Sequence, residues 1–220
     1  MLIIIEGIDG SGKATQTRLL VEHLQQAKYS VGTLDFPGYQ RNFFGKMVRR
    51  YLDGEFGPPT SVNPYLASVL YALDRWESSK QIQEWMDTGH AIVLDRYVYS
   101  NLIHQTANLP SSQQADFRRW DIAMEFEILG LPKPDLTIFL HLPVQVAFQL
   151  IQQRSRVPDG LEREQTHLEA AERQCSTLAK TFGWQTIECT RDGVLLPPIE
   201  IHAEIWNAVR ERFNLPPDVH

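Results

Sequence analysis

The short segment Gly7–Lys13 carries three glycines and ends in a lysine, a combination suited to binding phosphate groups. Glycines let the backbone curl so that several N–H groups point at one centre, where they can hold phosphate oxygens. The lysine adds a mobile positive charge for the outer phosphates of a nucleotide, and the spacing G-x-x-x-x-G-K is that of a Walker A loop. We therefore predict ATP contacts at Gly7, Gly10, Ser11, Gly12, Lys13, Ala14 and Thr15.

The residue after the lysine departs from this motif. A Walker A loop has Ser or Thr there, and the hydroxyl binds Mg²⁺, whereas this chain has Ala14 followed by Thr15. A methyl group cannot bind a metal ion. Either the nucleotide, water and carboxylates elsewhere hold the Mg²⁺, or the site is impaired.

A second group of charged residues, Asp95 and Arg96, follows another apolar segment. Asp95 stands where a carboxylate next to the phosphate loop can reach Mg²⁺ directly or through water. The planar guanidinium of Arg96 suits the oxygens of a phosphoryl group. These residues favour phosphoryl transfer, which needs positioning and positive charge more than covalent help. The structural alternative is an Asp–Arg pair that only closes the end of a strand.

The elements that must hold these residues alternate between short apolar strands and longer helical patterns. This alternation predicts an α/β fold with a five-stranded parallel sheet and helices on both faces. In such sheets ligands bind beyond the carboxyl ends of the strands, which is where the reactive residues fall. The predicted strands are Leu2–Ile5, Val31–Phe36, Ala91–Leu94, Leu136–Leu140 and Thr186–Cys189, and one helix is predicted over Pro64–Asp87.

Length and composition set further limits. The 220 residues fit one domain with a sizeable core. A formal net charge of −6 gives no reason to expect a nucleic acid as the main partner. No stretch approaches the ~20 apolar residues of a membrane span, and Cys175 and Cys189 show no metal or redox spacing. We therefore expect a cytoplasmic protein with reduced thiols that binds neither nucleic acid nor a membrane.

Several further motifs follow in order, at compatible spacing, from about residue 1 to 205. They are Gly7–Gln16, Asp35-Phe36-Pro37, Tyr71–Glu77, Asp95-Arg96-Tyr97-x-x-Ser100, Gly130–Asp135, and Asp159-x-x-Glu162 with Leu168. Together they resemble the thymidylate kinases, a family of nucleoside monophosphate kinases with the P-loop kinase fold. The resemblance implies that ATP, with Mg²⁺, donates its γ-phosphoryl group to dTMP, giving dTDP and ADP for dTTP synthesis. It further implies one domain over residues 1–220 and a homodimer. Because chain ends are often poorly ordered, we expect a frayed tail at 215–220.

The resemblance also implies a catalytic set and an acceptor site. The catalytic set is Lys13, Asp9, Arg96 and Arg154. The dTMP-binding set is Asp9, Phe36, Tyr71, Arg75, Arg96, Asn101, His104 and Gln105. Within this set the arginines clamp the acceptor phosphate, the aromatic rings enclose thymine, the amides lie near the base edge and the histidine lies beneath the sugar. Asp9 contacts the 3′-hydroxyl or Mg²⁺, and for each aromatic ring core packing is the alternative.

A small mobile lid is expected at about residues 153–165, where the chain is polar and contains Gly and Pro. Some relatives carry a helper arginine in the phosphate loop, but this chain has Gly10 there. The resemblance therefore implies that the lid supplies the arginine, from Arg154, Arg156 or Arg163. Arg154 also suits stacking over adenine, and Glu162 is a candidate, with Asp95, for holding Mg²⁺.

Two alternatives to this function stay open. One is a related nucleoside or deoxynucleoside monophosphate kinase with a different base preference. The other is an ATP-binding switch without kinase activity, which only Ala14 supports. The acceptor-side residues argue against a switch, because a switch needs no second nucleotide pocket.

Overall fold

The computed structural model describes residues 1–153 and 165–216, and its centre is a parallel β-sheet of five strands. The strands are β1 (Leu2–Glu6), β2 (Val31–Asp35), β3 (Ala91–Asp95), β4 (Leu136–His141) and β5 (Gln185–Glu188), in the order β2-β3-β1-β4-β5. The central strand β1 is buried throughout and pairs with β3 on one side and β4 on the other. The predicted α/β class and five-stranded parallel sheet are confirmed.

Nine α-helices lie within the described residues. They are α1 (Lys13–Gln26), α2 (Phe43–Leu52), α3 (Pro64–Glu77), α4 (Ser79–Asp87), α5 (Tyr99–Ala107), α6 (Ser111–Ile122), α7 (Val144–Gln152), α8 (Gln165–Phe182) and α9 (Pro198–Phe213). A 3₁₀ turn spans Pro59–Ser61, and a π-helical segment, Ala123–Ile128, continues α6. Two short strands, β6 (Thr190–Arg191) and β7 (Val194–Leu195), form a hairpin before α9.

The side chains of the strands pack into two apolar cores, one on each face of the sheet. In β1, Ile3 and Ile5 pack into the larger core, whereas Leu2 and Ile4 pack into the other, which contains Ile82 of α4. Successive side chains of a strand point to opposite faces. A central strand covered on both faces is therefore apolar along most of its length, and this explains the continuous apolar run Leu2–Ile5 from which β1 is predicted.

The helices differ from the predictions in two places. The predicted helix Pro64–Asp87 is interrupted at Ser78, which separates α3 from α4 and whose Oγ accepts a hydrogen bond from Asn42 Nδ2 at 2.9 Å. Helix α5 is not predicted, because its buried face includes the polar residues Asn101 and Gln105. These side chains interrupt the apolar periodicity by which a helix is recognised.

The register of the sheet brings the two reactive segments together. Ile5 in β1 is paired with Asp95 in β3, so the chain leaves both strands at the same edge. The backbone N–H of Arg96 then donates to the carbonyl oxygen of Ile5 at 3.1 Å. The phosphate loop and the Asp95–Arg96 segment are therefore neighbours beyond the carboxyl ends of the strands. This is the edge at which parallel sheets of this kind bind ligands.

The two cysteines are unpaired and buried. Burial raises the pKa of the Cys175 thiol well above its usual value and that of Cys189 to about 12. Neither side chain is a reactive thiolate at neutral pH. No helix in the described part of the chain is long and apolar enough to cross a membrane.

Candidate active site

A cavity of about 300 Å³ lies beyond the carboxyl ends of β1, β2 and β3, and α3 and α5 complete its wall. Most of the predicted site residues line it, namely Asp9, Gly10, Gly12, Lys13, Ala14, Thr15, Phe36, Tyr71, Arg75, Asp95, Arg96, Asn101, His104 and Gln105. Gly7 and Ser11 belong to the same loop and are buried beneath it. Arg154, Arg156, Glu162 and Arg163 lie outside the described residues.

The phosphate loop needs glycine at two of its positions. Gly10 has φ 87° and Gly12 has φ 89°, values that side chains rarely allow. A Cβ atom on Gly10 would also lie 2.6 Å from the carbonyl oxygen of Ala147 in α7. Gly12 is followed directly by α1, so the loop ends at a helix N-terminus, where free N–H groups favour phosphate.

Lys13 holds its positive charge over the loop. Its Nζ donates to the carbonyl oxygens of Gly7 at 3.0 Å and Ile8 at 2.9 Å. Burial and the charge of Arg96 lower the pKa of Lys13, whereas nearby carboxylates, Asp9 first among them, raise it. The ammonium is therefore anchored at the point where the outer phosphates of a nucleotide would arrive.

Arg96 connects the loop after β3 to the phosphate loop. One of its terminal nitrogens, Nη2, pairs with Asp9, and the other, Nη1, donates to His104 Nε2 at 2.9 Å. Its φ of 67° is unusual for a residue with a side chain and is a mark of functional sites. Burial alone would raise the pKa of Asp9, but the charges of Arg96 and Lys13 outweigh it and hold that pKa well below its usual value.

His104 is neutral and has a fixed tautomer. Burial, and then the charge of Arg96, lowers its pKa well below the usual value. Since Arg96 can only donate, His104 Nε2 must accept, and the ring proton lies on Nδ1. That nitrogen lies 3.4 Å from Nε2 of His167 in α8, against which the ring also stacks. The chain of contacts from Asp9 to α8 restrains the position of Arg96.

Asp95 is the described residue best placed to hold Mg²⁺. It ends β3 on the cavity wall, where burial raises its pKa and the charges of Lys13 and Arg96 lower it. Within residues 1–153 and 165–216 no group of three or more His, Cys, Asp or Glu side chains could hold a metal ion. A dedicated cage is not needed, because Mg²⁺ usually takes one or two carboxylates and completes its shell with phosphate and water. The donor set therefore fits the ion when a nucleotide accompanies it.

The two aromatic residues predicted for the acceptor site, Phe36 and Tyr71, both line the cavity. Phe36 is 4% exposed and its ring packs against Tyr97, with 6.0 Å between centroids. The ring of Tyr71 stands edge-on to Tyr51 at 6.2 Å. Both rings are fixed by neighbours and still contribute to the cavity wall. Core packing and ligand contact are therefore compatible at these positions.

Arg75 is buried, and its charge is already balanced. Its guanidinium forms two hydrogen bonds of 2.6 Å with Glu125, and Asn101 Nδ2 donates to the same carboxylate at 2.9 Å. Although burial lowers the pKa of Arg75, the charge of Glu125 outweighs it and raises that pKa. A clamp on the acceptor phosphate stays a prediction for Arg75, and the structure joins it to Asn101 rather than to the phosphate loop.

Gln105 brings an unsatisfied acceptor to the cavity. The residue is 1% exposed, lines the wall, and its Oε1 has no hydrogen bond to a described residue. A buried acceptor without a partner costs about 1–3 kcal/mol. A ligand that donates a hydrogen bond there would remove this cost.

Sequence reasoning missed several carboxyl groups that support the site. Glu6 ends β1 and is fully buried, where it accepts hydrogen bonds from the backbone N–H of Tyr97 at 3.0 Å and from Ser100 Oγ at 2.9 Å. It thereby fixes the segment that carries Arg96. An acidic residue at the end of an apolar run is the signal that could have revealed it. Asp121, in the last turn of α6, and Glu125, in the π-helical segment that continues it, were missed because the sequence of α6 looks polar and exposed.

His141, for which the sequence predicts no role, ends β4. Its Nδ1 lies 2.7 Å from a carboxylate oxygen of Glu188 in the neighbouring strand β5, and its Nε2 lies 3.5 Å from Glu172. These contacts tie β4 to β5 and α8. His141 does not line the cavity described above.

Comparison with known proteins agrees with this geometry. The thymidylate kinase family model matches residues 5–194. The chain is 35% identical to the thymidylate kinase of Mycobacterium tuberculosis over 164 residues, which cover 74% of this chain and 76% of the relative. It is 31% identical to the human thymidylate kinase over 198 residues, covering 86% and 82%. A solved thymidylate kinase from Candida albicans superposes with a TM-score of 0.75 at 25% identity, over 97% of this chain and 92% of the other. The resemblance inferred from the motifs is confirmed, and the chain belongs to the thymidylate kinase family.

Proposed function

We propose that this chain transfers the γ-phosphoryl group of ATP to dTMP, giving dTDP and ADP. Membership of the family supports the reaction. The structural observation that supports it is that the phosphate loop and the side chains predicted to bind the acceptor nucleotide line one cavity. Two nucleotides held together in line can react directly, and such positioning supplies most of the catalysis in phosphoryl transfer.

On the donor side, the backbone of residues 10–15 and the N-terminus of α1 would hold the ATP phosphates. Gly7 and Ser11 support the loop from below. Lys13 would neutralise charge that develops on the β- and γ-phosphates. We retain Arg154, outside the described residues, as the helper arginine that also stacks over adenine.

On the acceptor side, an oxygen of the dTMP phosphate attacks the γ-phosphorus while the bond to the bridging oxygen of ADP breaks. This phosphate is largely ionised at neutral pH, with a second pKa of about 6, so no strong base is needed. Arg96 would bind it and Asp9 the 3′-hydroxyl. The remaining contacts with sugar and base are assigned to Phe36, Tyr71, Asn101, His104 and Gln105, as the resemblance implies. We reassign Arg75 from the acceptor phosphate to the base, because Glu125 ties it to Asn101.

Mg²⁺ accompanies ATP in kinases of this type, where it bridges the β- and γ-phosphates and neutralises their charge. We assign one contact, direct or through water, to Asp95. Glu162, which lies outside the described residues, is our second candidate. Because Ala14 offers no hydroxyl, these carboxylates and the nucleotide would share the task.

We also propose a homodimer that packs through one face of α3. Leu66, Val69, Leu73 and Trp76 follow each other at helical spacing and form an apolar stripe, of which Leu66 is 66% and Trp76 49% exposed. Light scattering is expected to give twice the 25.3 kDa chain mass, and Leu66→Asp is expected to halve it. A monomeric wild type would contradict this assembly. The unpaired, buried cysteines support our further proposal of a cytoplasmic location.

The test of the reaction is ADP production by purified protein with ATP and Mg²⁺, comparing dTMP, dUMP, TMP, dCMP and no acceptor. We expect rapid turnover with dTMP and slower turnover with dUMP. Lys13→Ala is the control for contaminating kinases, since it removes the charge at the phosphate loop. Turnover with a different monophosphate would change the assigned base preference, and ADP release without any acceptor would indicate a switch instead of a kinase.

A further inference from the structure

We propose that Asp121 and Glu125, two carboxyl groups behind the acceptor side of the cavity, determine which pyrimidine base the site accepts. The inference rests on the proposed function and adds a pair of positioning residues to it. Neither residue lines the cavity; both hold residues that do, Asn101 and Arg75. The favoured ligand class is a nucleotide with a 4-oxopyrimidine base, and the class rejected is a 4-aminopyrimidine.

The amide of Asn101 is oriented by its surroundings. Its Nδ2 faces three acceptors: Glu125 Oε1 at 2.9 Å, Asp121 Oδ1 at 3.2 Å and the carbonyl oxygen of Ser68 at 3.2 Å. An amide nitrogen has two hydrogens, so three acceptors occupy both. Its Oδ1 has no hydrogen bond to a described residue. The amide therefore keeps only its oxygen, an acceptor, available for a ligand.

The guanidinium of Arg75 is also held in place, and it offers a donor where Asn101 offers an acceptor. Its Nε and Nη2 donate to the two oxygens of Glu125, each at 2.6 Å. Its Nη1 has no hydrogen bond to a residue in the described part of the chain. Arginine cannot accept a hydrogen bond, so Arg75 offers the cavity a donor beside the acceptor of Asn101.

A donor next to an acceptor matches one edge of a 4-oxopyrimidine. Thymine and uracil carry an O4 acceptor next to an N3–H donor, whereas cytosine carries an amino donor next to an N3 acceptor. Asp121 and Glu125 fix Asn101 as the acceptor and Arg75 as the donor. The amino group of cytosine would therefore face the donor of Arg75, and its N3 would face the acceptor of Asn101. A site built to hydrogen-bond one pattern rejects the opposite pattern strongly, because buried groups are left unpaired.

The charge of the cluster is consistent with this arrangement. Asp121 is fully buried, and burial together with the charge of Glu125 raises its pKa well above the usual value, which favours the neutral form. Burial also raises the pKa of Glu125, and the charge of the Arg75 guanidinium partly offsets this by lowering it. The carboxylate of Glu125 balances the guanidinium of Arg75, and this pairing reduces the cost of burying both charges. A protonated carboxyl group has the same shape as an amide and the same capacity to donate and accept.

Three variants test the inference, with kcat and KM for dTMP and dCMP and the melting temperature as measurements. Asp121→Asn keeps the acceptor for Asn101, and we expect both parameters to stay within about threefold of wild type. Asp121→Leu removes that acceptor and keeps the branching of the side chain. We expect it to raise the KM for dTMP by about tenfold to a hundredfold, with a smaller change in kcat, and to lower the dTMP to dCMP preference by a similar factor. Glu125→Gln is expected to act in the same direction, because an amide nitrogen in place of one carboxylate oxygen cannot accept the hydrogen bond now donated to that oxygen.

The base preference separates this role from a purely structural one. Unchanged preference in Asp121→Leu or Glu125→Gln, or equal losses in Asp121→Asn and Asp121→Leu, would overturn the inference. If the melting temperature shows that Asp121→Leu does not fold, Asp121→Ser replaces it, since its hydroxyl is too short to reach Asn101. Wild-type turnover of dTMP is measured first. Its absence would reject the proposed function, whereas normal wild-type turnover with unchanged variants would reject this inference alone.

Discussion

Protonation of His202 is expected to destabilise the packing of α9 on α1. The residue is 5% exposed, and its Nε2 lies 3.0 Å from Nδ1 of His23 in α1. Its other nitrogen, Nδ1, is buried without a hydrogen bond to any described residue. Burial, and then the charge of His23, lowers the pKa of His202 to about 4, while Glu22 acts in the opposite direction.

The direction of the effect follows from the two states of the protein. A histidine in the unfolded chain has a pKa of about 6.5, so as the pH falls the unfolded chain takes up this proton first. The free energy of unfolding therefore does not depend on His202 above about pH 6.5, and it decreases as the pH falls towards about 4. Each unit of difference is worth about 1.4 kcal/mol. Between about pH 7.5 and 4.5 the loss due to His202 is about 2 to 3 kcal/mol.

Urea denaturation of the wild type and of His202→Phe at both pH values measures this loss. The phenyl ring keeps the volume, removes the proton site and leaves no new buried polar group on its own side chain. We expect the variant to lose about 2 to 3 kcal/mol less than the wild type on acidification. His90→Gln, in the turn before β3, is the matched histidine replacement outside the contact between α1 and α9. Equal slopes for the wild type and His202→Phe would refute the reasoning.

Further predictions concern the phosphate loop and the metal. Gly10→Ala is expected to cost about 2–4 kcal/mol in the free energy of unfolding, since the new Cβ would lie 2.6 Å from the carbonyl oxygen of Ala147 at a φ of 87°. Gly12→Ala, at φ 89° with no atom within 4 Å of its Cβ, is expected to cost only about 1–2 kcal/mol; equal losses in urea titrations would contradict the role of the contact. Ala14→Ser is expected to lower the Mg²⁺ concentration for half-maximal turnover by about fivefold, and Asp95→Asn to raise it. If both variants show the Mg²⁺ dependence of the wild type, Mg²⁺ does not bind at this edge of the sheet.

Much of the fold and part of the site could be predicted because their signals are local in the chain. The strand β1 is a continuous apolar run, and the loop after it has its glycines and lysine within seven residues. The helix α5 carries no such signal, because two of its buried positions, Asn101 and Gln105, hold polar side chains that line the cavity. The interruption of the helix at Ser78 depends on a hydrogen bond from Asn42, 36 residues away, so the local pattern does not reveal it.

The amino-acid sequence by itself determined the phosphate loop, the parallel sheet and the membership of the family, since each depends on residue types at short, fixed spacing. Only the tertiary structure decided the partners of the charged groups. Arg75 meets Glu125 across 50 residues, and Arg96 meets Asp9 across 87. Such pairs depend on how helices and strands pack, and their low-polarity surroundings strengthen each interaction and fix each protonation state. Whether an arginine is a free cation or a neutralised donor is therefore a property of the folded site.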